Sequence, residues 1–442
     1  MKLIAITTIL LTLATAGYSQ TPDKAKLDQF FDRLAEKNKA MGSIAVVKDG
    51  KEVYARAIGY GEVTSKTRLT AASRFRIGSI TKMFTAAMVL QLTEEKKLKL
   101  TDPLDKFFPQ IPNADKITIQ QILGHRSGIH DSLIDPSLRT KPRTEPMTID
   151  ELLALITKGE PDFEPGTQNR YSNSGYFLLG LIIEKVTGKT YAENLKERIT
   201  SKLGMKETYT ATSPIDVRNN EAQTYMSLGG EWKTVPETHP SNLFGAGFIV
   251  STPADLAIFI QSLFDLKLIP QASLSLMKTM REGEGIGMEP FTFAGKTFYG
   301  HTGGADNYGA WLAYLPEEKL AVAYTTNAKV YPVKDIMSSV VDIYYDKPFV
   351  VPTFETFAVS TDLLDKYVGV YTTPDAPVKF TITRKDSTLY FKPPGDGAPV
   401  ALEALAENRF QIEGAVVIEF DAAKNQMTVK RRQGERVFTK EK

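Results

Sequence analysis

The run from Ser79 to Lys97 constrains this chain more than any other stretch. Met83, Phe84, Ala87, Met88, Val89 and Leu92 recur at helical spacing and make the helix largely apolar. A helix without a polar face is stable only when other elements cover it on most sides. The chain must therefore build layers around it. Its 442 residues are enough for a large core and too many for one typical domain. The run opens on Ser79-Ile80-Thr81-Lys82, so a hydroxyl and an amine stand at the mouth of a buried element.

Composition narrows the function classes. Fifty-four basic against 52 acidic residues leave a net charge of +2, with no electrostatic reason for a nucleic-acid or anionic-membrane partner. Zero cysteines exclude disulfides, thiol nucleophiles and thiolate metal sites. Residues 1–20 read as a signal peptide. Lys2 precedes an apolar stretch from Leu3 to Leu13, and Ala14, Ala16, Gly17 and Ser19 lead to a cleavage point before Gln20 or Thr21. That stretch is too short to span a bilayer, and no later segment reads as a transmembrane helix. The expected location is therefore periplasmic or secreted.

The remaining pattern is mixed. Asp23 to Lys39 has helix spacing through Leu27, Phe30, Phe31 and Leu34, and Ser43–Val47 and Glu52–Ile58 read as strands around a turn at Asp49-Gly50. A helical middle region follows, with Ile149–Thr157 and Tyr176–Thr187 its clearest helices. Strands return at Thr297–Gly300, Ala310–Leu315 and Leu320–Thr326, before a helix from Val333 to Tyr345. This order predicts an α+β fold: an antiparallel sheet flanked by helices, with a helical subdomain beside it. Residues 21–347 are expected to form this domain and 348–358 a linker. Short alternating strands over residues 359–442 predict a C-terminal all-β barrel.

Three short motifs carry the chemistry. Lys82 lies one helical turn from Ser79 on the same face, within reach of its hydroxyl. Burial among apolar side chains would favour the neutral amine that a general base requires. The spacing alone is weak, since Ser275-Leu276-Met277-Lys278 repeats it where the serine should face solvent. A serine at a helix start can also be a plain N-cap. Tyr171-Ser172-Asn173 adds a phenol able to shuttle a proton and an amide able to hold both lysine and substrate. By itself it could be an ordinary loop after Pro165-Gly166. Gly300-His301-Thr302-Gly303-Gly304 offers glycines that let a substrate backbone approach and expose N–H groups to an oxyanion. Its bland reading is a strand-end turn with a solvated histidine.

In this order, Ser79-x-x-Lys82, Tyr171-x-Asn173 and His301-x-Gly303 resemble the serine β-lactamase and penicillin-binding-protein superfamily. The likeness is strongest to its branch of class C β-lactamases, D-aminopeptidases and esterases. Phe75-Arg76-Ile77-Gly78, Leu123-Gly124-His125-Arg126-Ser127-Gly128 and Gly245-Ala246-Gly247-Phe248 match it too. The resemblance implies a serine hydrolase working through an acyl-enzyme. Ser79 would be the nucleophile, Lys82 its partner and Tyr171 the proton carrier. Asn173, His301, Thr302, Gly303 and Gly304 would bind substrate, with the Ser79 and Gly304 N–H groups as oxyanion hole. The C-terminal region is similar to small lipocalin-like barrels appended to some of these hydrolases.

The match departs at His301, where class C β-lactamases carry lysine. A mostly neutral histidine attracts a substrate carboxylate less well. This favours esters or D-amino-acid-containing peptides, including peptidoglycan-derived ones, over β-lactams; the alternatives are a class C-like β-lactamase and a penicillin- or peptidoglycan-binding protein that does not turn over. His125, His130 and His239 lack metal-ligand spacing, so neither metal nor cofactor is expected.

Overall fold

The computed structural model describes residues 21–441, apart from 229–230, 281–284, 355–356, 375, 393–398, 413–415 and 432–433. The expected signal peptide, residues 1–20, lies outside the described residues. Helix α1 (Lys24–Glu36) is capped by the Asp23 side chain and buries Leu27, Phe30, Phe31 and Leu34. Strands β1 (Ala40–Lys48) and β2 (Lys51–Ile58) form a hairpin. A 3₁₀ turn over Gly78–Ile80 leads into α2 (Thr81–Glu94), in which every residue from Thr81 to Leu92 is buried.

Two helices enclose α2. The first, α3 (Asn173–Thr187), is capped by the Ser172 side chain and ends at Gly188, whose φ of 67° places it in the left-handed region. The second, α4 (Pro253–Phe264), lies against the sheet and stacks Phe259 on Phe84 of α2, with ring centroids 3.8 Å apart. The chain then runs through β3 (Glu289–Phe293), β4 (Lys296–Ala305), β5 (Tyr308–Leu315) and β6 (Leu320–Lys329) into α5 (Val333–Tyr344). Their six-stranded antiparallel sheet has the order β3-β4-β5-β6-β1-β2. Helices α1 and α5 cover one face, and α4 with the helical region covers the other. Both faces being covered, β1 and β6 are buried along nearly their whole length.

The C-terminal region, read from sequence as short strands alone, opens with helix α6 (Thr361–Tyr367). Tyr367 instead stacks on Phe420 at 4.5 Å inside the next core, so its apolar character serves a helix lid. Nine strands follow: β7 (Gly369–Thr373), β8 (Ala376–Lys385), β9 (Thr388–Lys392), β10 (Val400–Ala401), β11 (Glu403–Ala406), β12 (Arg409–Ile412), β13 (Val416–Asp421), β14 (Gln426–Arg431) and β15 (Gly434–Lys440). The sheet order is β10-β9-β8-β7-β15-β14-β13-β12-β11. Its two edge strands are consecutive in the chain, separated only by buried Leu402, so the sheet curls into a nearly closed barrel. The segment read as a linker is anchored: Phe349 packs on Phe30 and Phe354 on Tyr331, at 5.5 and 5.4 Å. An ion pair from Lys39 to Glu403 ties the barrel to the first sheet.

Candidate active site

The site begins with a backbone constraint. Gly78 has φ of 52°, a conformation that L side chains rarely adopt, and a Cβ there would meet Gly304 N at 2.5 Å. Gly78 thus lets the turn before α2 lie directly against β4. Ser79 sits in that 3₁₀ turn rather than at the α-helix cap, and the cap position of α2 makes no side-chain hydrogen bond. The plain N-cap reading of Ser79 is set aside. The decoy behaves as expected, with Ser275 exposed on its helix.

Lys82 is completely buried. Nζ lies 3.0 Å from Ser79 Oγ, 2.8 Å from Asn173 Oδ1 and 2.9 Å from the Ala246 carbonyl. The last two are acceptors only. They consume two N–H donors whichever protonation state the amine takes. What differs is the third contact. An ammonium donates to Ser79 Oγ, whereas a neutral amine turns its lone pair to the Ser79 hydroxyl proton. The arrangement therefore accommodates the state before and after proton transfer without moving a heavy atom.

Asn173 is held in one orientation from behind. Its Nδ2 donates to Asp131 Oδ2 at 2.8 Å, which turns Oδ1 toward the lysine. Asp131 Oδ1 also accepts from Ser174 N at 3.2 Å, at the N-terminus of α3 where negative charge is favoured. Asp131→Asn would remove the charge and allow the two amides to mispair. Steady-state kinetics on that variant should show kcat reduced about tenfold to a hundredfold, the worth of one charge-assisted hydrogen bond. An unchanged kcat would show that Asn173 orients itself.

Tyr171 is held between rings and backbone. Lys82 Nζ stands 4.7 Å from its ring centroid, and His125 stacks on it at 4.4 Å. His125 also accepts the two N–H groups flanking the tyrosine: Arg170 N donates to its carbonyl at 2.9 Å, and Ser172 N to its Nδ1 at 3.1 Å. The ring proton is thereby placed on Nε2. Burial first, then Lys82 and His301, hold this imidazole well below the usual histidine range, so it is neutral.

Strand β4 supplies the opposite wall, and it runs five residues past the expected end at Gly300. Its hairpin with β3 ends at the Glu289–Gly300 pair, so from His301 onward only β5 pairs with it. Gly303 faces the turn: a Cβ there would come within 1.9 Å of Ile77 O and 3.3 Å of Ser79 N. His301 is buried rather than solvated, with Nδ1 donating to Thr302 O at 2.5 Å and Nε2 3.7 Å from Glu289 Oε1. Burial, then the Lys82 charge, push its pKa down to about 4.

The fold favours neutral His301, whereas the unfolded chain binds a proton near pH 6.5. Its contribution to stability is therefore full above about pH 6.5 and is lost as pH falls toward 4, to a total of about 3 kcal/mol. Thermal melts of His301→Gln should show a shallower decline across that window than the wild type. Parallel declines would place the acid sensitivity elsewhere.

A cavity of about 310 Å³ opens beside these groups, lined by Ser79, Asn173, Gly304, Leu133 and Ile134, with Arg143, Asp306 and Lys329 bringing charge. The structure thus gathers Ser79, Lys82, Tyr171, Asn173, His301, Gly303 and Gly304, with half-exposed Thr302 on the same strand. Sequence reasoning missed Asp131, which sits in a loop without periodicity, and the Ala246 carbonyl, which no side chain announces. It also left His125 as mere loop structure. Among the described residues, no group of three His, Cys, Asp or Glu side chains could hold a metal ion.

A family model described as Beta-lactamase matches residues 27–339. The chain belongs to the β-lactamase family. Serine hydrolases of this fold recur among its relatives. Penicillin-binding protein 4* of Bacillus subtilis (strain 168) is 27% identical over 90% of this chain and 95% of its own length. The teichoic acid D-alanine hydrolase of Staphylococcus aureus is 26% identical over 57% of this chain and 60% of its own. Among solved structures, the D-amino acid amidase of Ochrobactrum anthropi SV3 aligns with a TM-score of 0.66 and 27% identity, covering 73% of this chain and 98% of that one. The octameric penicillin-binding protein homologue from Pyrococcus abyssi aligns at 0.65 and 26% identity, covering 94% and 100%.

Proposed function

We propose that this protein is an exported hydrolase that cleaves esters or D-amino-acid-containing peptides through an acyl-enzyme on Ser79. The observation that carries the reading is the buried Lys82 amine, bonded at once to Ser79 Oγ, Asn173 Oδ1 and the Ala246 carbonyl. Export rests on the pattern of residues 1–20. The Staphylococcus relative is named for D-alanine and the Ochrobactrum one for D-amino acid amides, which supports the substrate class.

In this reading Ser79 Oγ attacks the substrate carbonyl while its proton passes to Lys82 Nζ. The N–H groups of Ser79 and Gly304 receive the oxyanion. Tyr171, beside the lysine, passes a proton to the leaving group. A water then attacks the acyl-enzyme with its proton taken by the same Lys82/Tyr171 pair, which passes it to Ser79 Oγ as the acyl–oxygen bond breaks and so regenerates the serine. His301 is a neutral residue of strand β4, so a β-lactam carboxylate finds no fixed charge at that position. Cephalosporin hydrolysis is accordingly expected to be slow beside ester hydrolysis.

The test is intact mass after exposure to a fluorophosphonate. Wild type should gain a single adduct and Ser79→Ala none. An adduct of equal yield on Ser79→Ala would place the activated nucleophile elsewhere.

A further inference from the structure

The cavity beside Ser79 has three charged side chains on its wall, and they are unequally engaged. Asp306 is committed through both carboxylate oxygens, Oδ2 accepting from Thr238 N at 2.8 Å and Oδ1 from Thr238 Oγ1 at 2.7 Å. Lys329, the last residue of β6, reaches in from the sheet. Its Nζ donates to the Asp306 carbonyl at 3.1 Å, and its other two N–H bonds have no acceptor among the described residues. Arg143 also lines the cavity and has no carboxylate partner among the described residues. The wall thus carries two cations against one anion, and the cations hold the spare hydrogen bonds.

The path of Lys329 is built into the sheet. Gly304 and Gly309 face each other across β4 and β5. A Cβ on Gly309 would sit 3.1 Å from the Lys329 stem, and one on Gly304 would sit 3.7 Å from its Nζ. The paired glycines leave a groove along which the lysine lies. Its ammonium therefore ends beside Gly304, at the proposed oxyanion edge. Burial pushes this amine below the usual lysine range and Asp306 pulls it partway back. Such a partly desolvated cation gains more from an incoming anion than a surface lysine does.

We propose that Lys329, with Arg143, forms an anion subsite that selects substrates carrying a carboxylate on a short acyl chain. This rests on the reading of Ser79 as nucleophile. The cavity, near the small end of ligand pockets, suits a chain of a few carbons. His301 is neutral, so selection for negative charge falls to Lys329 and Arg143. A free amino group on the acyl part would meet two like charges instead, so within the proposed class the subsite favours D-amino-acid-containing peptides whose acyl part carries a carboxylate and no free amine.

The experiment compares mono-p-nitrophenyl glutarate, p-nitrophenyl valerate and p-nitrophenyl 6-aminohexanoate, after subtraction of spontaneous hydrolysis. Wild type should favour the glutaryl ester in kcat/KM by about tenfold or more over the other two. Lys329→Met, which keeps most of the stem, should lower the glutaryl-to-valeryl ratio by at least about tenfold, and Lys329→Arg should restore much of it. A ratio unmoved by Lys329→Met, or a wild-type preference for the aminohexanoyl ester, would overturn the proposal. Binding is read separately by titrating glutarate into wild type and Lys329→Met in a calorimeter, with loss of binding expected in the variant. If Ser79→Ala hydrolyses all three esters like wild type, the nucleophile reading fails, while glutarate binding still reports on the subsite.

Discussion

Lys82→Met should lower kcat for an activated ester by about 10⁴-fold or more and leave the protein folded. Methionine fills most of the same buried volume but can neither accept the Ser79 proton nor return it. Its effect on stability has two opposing parts. Removing a buried amine relieves a desolvation cost of several kcal/mol if that amine is charged. Against this, Asn173 Oδ1 and the Ala246 carbonyl lose their donor, at about 1–3 kcal/mol each. The thermal midpoint should therefore move by only a few degrees. The sharper check is the double variant Ser79→Ala/Lys82→Met. Two groups acting as one unit lose their function once, so the double variant should be no slower than the worse single one. A rate equal to the product of the two single losses would show that they act independently.

Gly303→Ala should be among the most damaging single-methyl additions in the site. A Cβ at 303 would stand 1.9 Å from Ile77 O, a backbone atom of the turn that carries Ser79. Neither side can yield cheaply. The turn is pinned by Ile77 N to Ile249 O at 3.1 Å, and β4 is paired with β5 at Gly303–Ala310. The strand and turn must separate, which pulls Gly304 away from Ser79. The expected result is a stability loss of about 3 kcal/mol or more together with loss of turnover. Gly61→Ala is the control. Its Cβ would make only an ordinary 3.5 Å contact with Leu69, so denaturant unfolding should place it within about 1 kcal/mol of wild type. Equal losses in both variants would mean that generic glycine effects, not the close approach, govern the site.

Much of the architecture was legible because each element states its own period. The α1 face through Leu27, Phe30, Phe31 and Leu34 is buried as the spacing predicted, and α2 is enclosed along twelve consecutive residues. Helix α6 was not legible, because Leu363, Leu364 and Tyr367 in so short a segment suit either period. Barrel strands β10 and β11, two and four residues long, are set by pairing with neighbours rather than by propensity.

The site divides along a similar line. Side-chain chemistry at short spacing is a local property, so Ser79, Lys82, Tyr171, Asn173 and the His301–Gly304 strand could be nominated from sequence alone. Whether their atoms meet is not local: Lys82 and Asn173 are 91 residues apart, and Lys82 and Ala246 are 164. Asp131, the Ala246 carbonyl and the His125 grip on Tyr171 act through orientation, which leaves no mark on composition or period. The buried neutral state of His301 depends on desolvation by neighbours from distant segments. The sequence by itself determined which functional groups this protein owns and which helix must be buried. Only the tertiary structure decided their hydrogen-bond partners, their charge states and the cations that face the cavity, because those depend on distances and solvent exclusion between segments far apart in the chain.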